Sequence, residues 1–193
     1  MGSSQKRKRK LKERNQQKKV LANKLEAARK ALVAKIVTWD DPVLKTKAKE
    51  VESLEGNLAV ANDLKEIINA TEDGVGLAAN QINSLHRVFI TRPEYPEKKQ
   101  VNVFINPTIT KYGEEKVTAQ EGCLSYPGHY CNVERSEKII MDYTDEKGNK
   151  QTQEFTGWHA RIIQHEYDHI LGECKVGDDY YESKKKLDQL QTQ

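Results

Sequence analysis

Five consecutive residues, His165-Glu166-Tyr167-Asp168-His169, carry the most specific chemistry in the chain. On a helix, an i, i+4 spacing stacks the two imidazoles on one face about one turn apart, so a single metal ion can take both. Glu166 stands beside the first, where its carboxylate reaches a water at an open coordination position and acts as general base. A catalytic centre of this zinc-like type needs a third protein ligand, and the origin of that ligand separates enzyme classes. The extended HExxHxxGxxH pattern accepts Gly172 but puts Lys175, a cation with no lone pair at neutral pH, where its third histidine belongs. Glu173, close behind His169, and Glu182, in a polar terminal stretch, are weak alternatives.

Upstream, Glu121-Gly122-Cys123-Leu124-Ser125-Tyr126-Pro127-Gly128 sets a cysteine among small and turn-forming residues at the end of a strand-like region. Its thiolate would complete a Cys-His-His set with one position left for water. Read alone, Cys123 fits a buried apolar thiol better than a ligand. The third cluster is Gly74-Val75-Gly76-Leu77-Ala78-Ala79-Asn80-Gln81. Two glycines let a backbone approach a ligand closely, and Gln81 brings a side-chain N–H for a developing oxyanion. By itself this cluster also fits a helix cap followed by a small-residue turn.

The elements that must position these groups can be read from periodicity. Leu64, Ile67 and Ile68 predict an amphipathic helix ending at Gly74, a residue suited to the left-handed position after a last turn. Arg87 to Thr91, Val101 to Asn106, Lys138 to Tyr143 and Gln151 to Phe155 predict strands, the last two joined by the turn Asp145-Glu146-Lys147-Gly148-Asn149. Thr156 is placed to cap a helix from Trp158 to Leu171 that carries Ile162, Ile163, Tyr167 and Ile170, with Gly172 as its stop. Helix, several short strands and then helix predict an α+β fold, with small antiparallel or mixed sheets around a central helix that bears HExxH.

Composition bounds the rest. The 193 residues, 36% of them apolar, suffice for one catalytic domain and an appendage. Residues 1–35 hold 13 Lys/Arg against Glu13 and Glu26, a net of +11, which leaves 19 Lys/Arg against 27 Asp/Glu, or −8, for residues 36–193. That asymmetry divides the chain into a basic extension over 1–35, helical or disordered, and a catalytic domain over 36–193. Leu21, Leu25, Ala28 and Leu32 form a narrow stripe on a charged rod, which makes a helix plausible from Gln16 onward. An odd set of cysteines, Cys123, Cys131 and Cys174, speaks against a disulfide framework and for a reducing compartment. No run approaches the roughly 20 apolar residues of a membrane span, and the start has charge without an apolar signal core.

Taken together and in this order, GVGLAANQ from Gly74, EGCLS from Glu121 and QHEYDH from Gln164 resemble the three motifs of peptide deformylases. The similarity covers about Ile36 to Gly172. It implies that Cys123, His165 and His169 bind one divalent metal, Fe2+ as is common in the family, with Zn2+, Ni2+ or Co2+ also suited to the donors. It further implies that Glu166 is the acid/base, and that Gln81 and the Leu124 N–H form the oxyanion hole. Gly76 would hydrogen-bond the peptide as an added strand, while Val75, Gly122, Trp158 and Ile162 would line the methionine pocket. Arg135 and Asp168 fall where the family has an ion pair behind the cysteine. The substrate implied is the formyl-Met end of a nascent peptide. After Gly172, polar Glu173-Cys174-Lys175 replaces the apolar residues usual in the family, so no docking role is expected of the C-terminal end. His86, His129 and His159 are expected to be structural or solvent-facing.

Two other functions compete. An HExxH peptidase acting within chains needs a downstream ligand, and an inactive RNA- or ribosome-binding protein leaves the motifs without purpose. The basic extension is nonetheless a candidate contact to ribosomal RNA. The expected setting is the cytoplasm of a bacterium or of a bacteriophage-infected host, without membrane contact; an organelle is the alternative, since a basic, acid-poor start imitates a transit peptide.

Overall fold

The computed structural model describes residues 2–98 and 100–191. In chain order the elements are α1 (Gly2–Val33), α2 (Leu54–Ala70), β1 (Gly76–Ala78), β2 (Val88–Thr91), β3 (Asn102–Tyr112), β4 (Lys116–Cys123), β5 (Tyr126–Ser136), β6 (Lys138–Thr144), β7 (Lys150–Thr156), α3 (Gly157–Leu171) and α4 (Lys175–Gln191). Short 3-10 turns occupy Pro42–Lys45 and Ala79–Ile82. The fold is α+β, and every pair of strands runs antiparallel.

One sheet has the order β1-β2-β3-β6-β7 and the other is the hairpin β4-β5. Side chains alternate along a strand, so a strand covered on both faces reads as a continuous apolar run. Val88, Ile90, Val103 and Ile105 pack with Leu64, Ile67 and Ile68 of α2, while Phe89 and Phe104 turn to the opposite face, where Ala160, Ile163, Tyr167 and Ile170 of α3 lie. The helix carrying HExxH is thus anchored along its apolar stripe, which leaves its other face for chemistry.

Several boundaries differ from expectation for local reasons. α2 ends at Ala70, where Thr71 N–H donates to Ile68 O at 3.1 Å, and Gly74 is not left-handed. A Cβ on Gly74 would stand 2.6 Å from Thr71 Oγ1, so close approach, not φ, excludes a side chain. β3 continues past Asn106 to Tyr112 through a register irregularity between Ile105 and Thr108, with Asn106 at φ 48°. Thr156 occupies the N-cap of α3 without a side-chain capping bond, and Gly172 ends the helix at φ 79°. At Asp145 the expected hairpin forms, its carboxylate accepting from Lys147 N and Asn149 N, each at 2.9 Å.

The hairpin β4-β5 was not anticipated, because β4 is polar and mostly exposed and so lacks an apolar alternation. The C-terminal end, from which no docking was expected, does dock. α4 lies on β4 and β5, with Val176 fully buried and with Tyr180 tilted and Tyr181 edge-on against Tyr126, at 5.6 and 6.2 Å between ring centroids. α1 is helical well before Gln16. It meets the body through its last turns, where Arg29 pairs with Glu72 at 2.8 Å and Leu32 packs over the α2 core, while Leu11, Leu21 and Leu25 are exposed.

Candidate active site and metal centre

A cleft of about 820 Å³ opens between the Asp73–Gly76 segment, the tip of the β4-β5 hairpin and α3. Its lining includes Val75, Gly76, Gln81, Gly122, Cys123 and Leu124, and on α3 Trp158, Ile162, His165 and Glu166. His169, the second histidine of the motif, does not line the cleft and is fully buried. The wall also includes His129 and Tyr130 of the hairpin and Val33 and Ala34 at the end of α1, the last two assigned above to the extension.

The donor atoms converge. His165 and His169 lie one turn apart with ring centroids 5.1 Å from each other, and His169 Nε2 is 3.2 Å from Cys123 Sγ. One donor atom from each of Cys123, His165, His169 and Cys174 falls within 4.8 Å of all the others. A set of two sulfurs and two imidazole nitrogens this compact fits one divalent transition metal ion. Glu166 is buried at 4% exposure and its Oε2 has no hydrogen-bond partner in the protein, a state that a water held beside the donors would relieve. The residues present therefore fit the metal that the motifs imply.

Behind the donors sits a charged network. Glu121 Oε2 meets His165 Nδ1 at 3.0 Å and so leaves His165 Nε2 turned to the donor cluster. The same carboxylate accepts two bonds from Arg135, at 3.0 and 2.9 Å, and one from Arg161 at 2.6 Å. Arg135 in turn holds Asp168. Burial opposes charge on Glu121, but hydrogen bonds from His165 and Arg135 outweigh it and hold its carboxyl at about 2. Burial likewise opposes charge on His165, and the Glu121 bond overrides it, lifting the imidazole to about 9. Glu166 has no such partner, so burial raises its pKa.

Gln81 is held with its Oε1 accepting from Ala78 N at 2.9 Å, which aims Nε2 at Ser125 Oγ, 3.1 Å away, and at Cys123 Sγ, 3.6 Å away. His86, His129 and His159 are engaged elsewhere, with Asn57, Asp179 and Thr91 respectively. Sequence reasoning missed Glu121, Arg161 and Cys174. For Glu121 a signal existed, since residues two apart on a strand share a face and Glu121 and Cys123 end β4 together. Cys174 had none, because no spacing rule links it to either histidine.

The sequence profile of the polypeptide deformylases matches residues 33–184. A peptide deformylase of Pseudothermotoga lettingae is 43% identical over 142 residues, covering 73% of this chain and 80% of that protein. One from Thermus thermophilus is 40% identical over 154 residues, covering 73% and 79%. Among solved structures, a probable peptide deformylase from Synechococcus phage S-SSM7 superposes with a TM-score of 0.68 at 34% identity, covering 73% of this chain and 96% of that one. The enzyme from Thermotoga maritima gives 0.67 at 34% identity, covering 73% and 93%. The chain belongs to the polypeptide deformylase family, metal-dependent hydrolases that remove the formyl group from the N-terminal formylmethionine of nascent polypeptides and release formate.

Proposed function

We propose that Glu166 is the acid/base of this hydrolysis, that Cys123, His165 and His169 hold one Fe2+ ion, and that Gln81 and Leu124 stabilise the oxyanion. The observation that carries the reading is the Glu166 carboxylate, buried beside three metal-donor side chains with one oxygen left without a partner. When bound, the ion supplies a Lewis acid that polarises the formyl carbonyl and acidifies water. Glu166 takes the proton from the attacking water and delivers it to the leaving nitrogen as the C–N bond breaks. Its raised pKa suits both transfers, because a base nearer neutrality is also a competent acid.

Gln81 Nε2 and the Leu124 backbone N–H donate to the oxygen on which charge develops. Gly76, at the start of edge strand β1, offers its backbone to the peptide as an added strand, and Val75, Gly122, Trp158 and Ile162 surround the methionine side chain. Glu121 orients His165, with Arg135 and Arg161 fixing Glu121 in turn.

The division into an extension over 1–35 and a catalytic domain over 36–193 belongs to the same proposal, with the basic face of α1 as a contact to ribosomal RNA. No described helix is long and apolar enough to cross a membrane, and the relatives from Pseudothermotoga and a Synechococcus phage favour the cytoplasm of a bacterium or phage-infected host. Formate release from a formyl-Met peptide tests the mechanism. Glu166→Gln should keep its metal while turnover falls at least about 10²-fold. Loss of metal in that variant, or turnover unaffected by a chelator, overturns the assignment.

A further inference from the structure

We propose that Cys174 is a fourth protein donor to the metal, completing a Cys2His2 set in the substrate-free chain and withdrawing when water and substrate enter. This rests on the reading of Cys123, His165 and His169 as ligands. Cys174 Sγ lies within 4.8 Å of the donor atoms of all three, and the residue is 7% exposed among the apolar residues beneath the cleft. A buried sulfur this close to three donors is within reach of the first coordination shell of an ion they share.

Its position in the chain supports the role. Cys174 immediately precedes α4, and its Sγ accepts from Gly177 N at 3.4 Å. An N–H bond to sulfur at the start of a 17-residue helix favours negative charge on that sulfur, as a thiolate ligand requires. Movement is also available. Glu173 and Cys174 form a two-residue link between left-handed Gly172 and α4, so rotation of one side chain moves the sulfur without disturbing α3. Four protein donors close a tetrahedral shell, and three leave the position that hydrolysis needs. Cys174 would therefore make the resting centre tighter and more thiolate-rich than a Cys-His-His set.

Substitution of Co2+ reads the number of thiolates directly, because thiolate-to-Co2+ charge-transfer absorption in the near ultraviolet scales with the sulfurs bound. Without peptide, the full chain should show two thiolates' worth of intensity. Cys174→Ser, which keeps a favourable helix N-cap, should lose about half of it, and Cys131→Ser should lose none. Competition with a chelator should show Cys174→Ser weakened by more than the roughly 10- to 100-fold that a merely supporting neighbour costs. Formyl-Met peptide or formate added to the unaltered chain should lower the absorption toward one thiolate. Full intensity in Cys174→Ser sinks the proposal while leaving the three ligands intact. Failure of the unaltered chain to bind Co2+ sinks the reading of the metal centre itself.

Discussion

Gly76 lies so close to Glu166 that a Cβ at this glycine would overlap the carboxylate, standing 2.7 Å from its Cδ. The start of an edge strand and the second residue of HExxH therefore fix each other's position. Under the proposed assignment Gly76 serves two ends at once, offering backbone to a peptide and making room for the Glu166 carboxylate. Gly76→Ala should displace the carboxylate and lower kcat by roughly 10²-fold or more, the scale of lost acid/base help, with metal content unchanged. Normal kcat with only KM raised would show that the glycine serves peptide binding alone.

Acidification should abolish activity before it unfolds the protein. Glu121 has a folded pKa of about 2 against an ordinary 4.5, so its contribution is fully present above 4.5 and is lost as pH falls through about 2. That contribution is on the order of 3 kcal/mol. Glu166 must be ionised to act as a base, and its pKa is raised above 4.5. The acid limb of kcat/KM should thus lie above pH 4.5, where circular dichroism still reports the native fold. Coincident midpoints would count against either assignment.

Glu121→Gln should separate support from catalysis. It leaves Arg161 buried without its carboxylate and Arg135 with Asp168 alone, which costs about 3–5 kcal/mol of stability. Metal affinity should fall by about 10- to 100-fold through loss of the His165 orienter. At saturating metal, kcat should fall far less than in Glu166→Gln. Equal losses would place Glu121 in the proton path.

Formyl-Met peptides should be hydrolysed much faster than acetyl-Met peptides. Gln81, Leu124 and Cys123 line the same cleft, so under the proposed assignment an added methyl would crowd the attacking water. Comparable kcat/KM for the two acyl groups would indicate a general amidase.

Deletion of residues 2–27 should leave hydrolysis of short peptides and thermal stability unchanged, since the exposed leucines of α1 precede its contacts with the body. Salt-sensitive co-sedimentation with ribosomes should disappear with it. Extending the deletion through Lys35 should raise KM several-fold, because Val33 and Ala34 form one wall of the cleft. Ribosome binding unaffected by either deletion would dispose of the tether.

What the sequence determined by itself is local. The i, i+4 spacing in a helix places His165 and His169 together whatever surrounds them, and the stop at Gly172 and the turn at Asp145 depend on neighbours a few residues away. Three ordered motifs also identified the family and the residues that line the cleft. Only tertiary structure brought Cys123 from β4 and Cys174 from beyond α3 to the same two imidazoles. The same holds for Glu121, whose single carboxylate serves His165, Arg135 and Arg161 across three elements. The pairing of β4 with β5, the docking of α4 and the reach of α1 into the cleft were hidden for one physical reason. Their placement is set by long-range pairing and aromatic packing, which leave no period in a polar stretch of sequence.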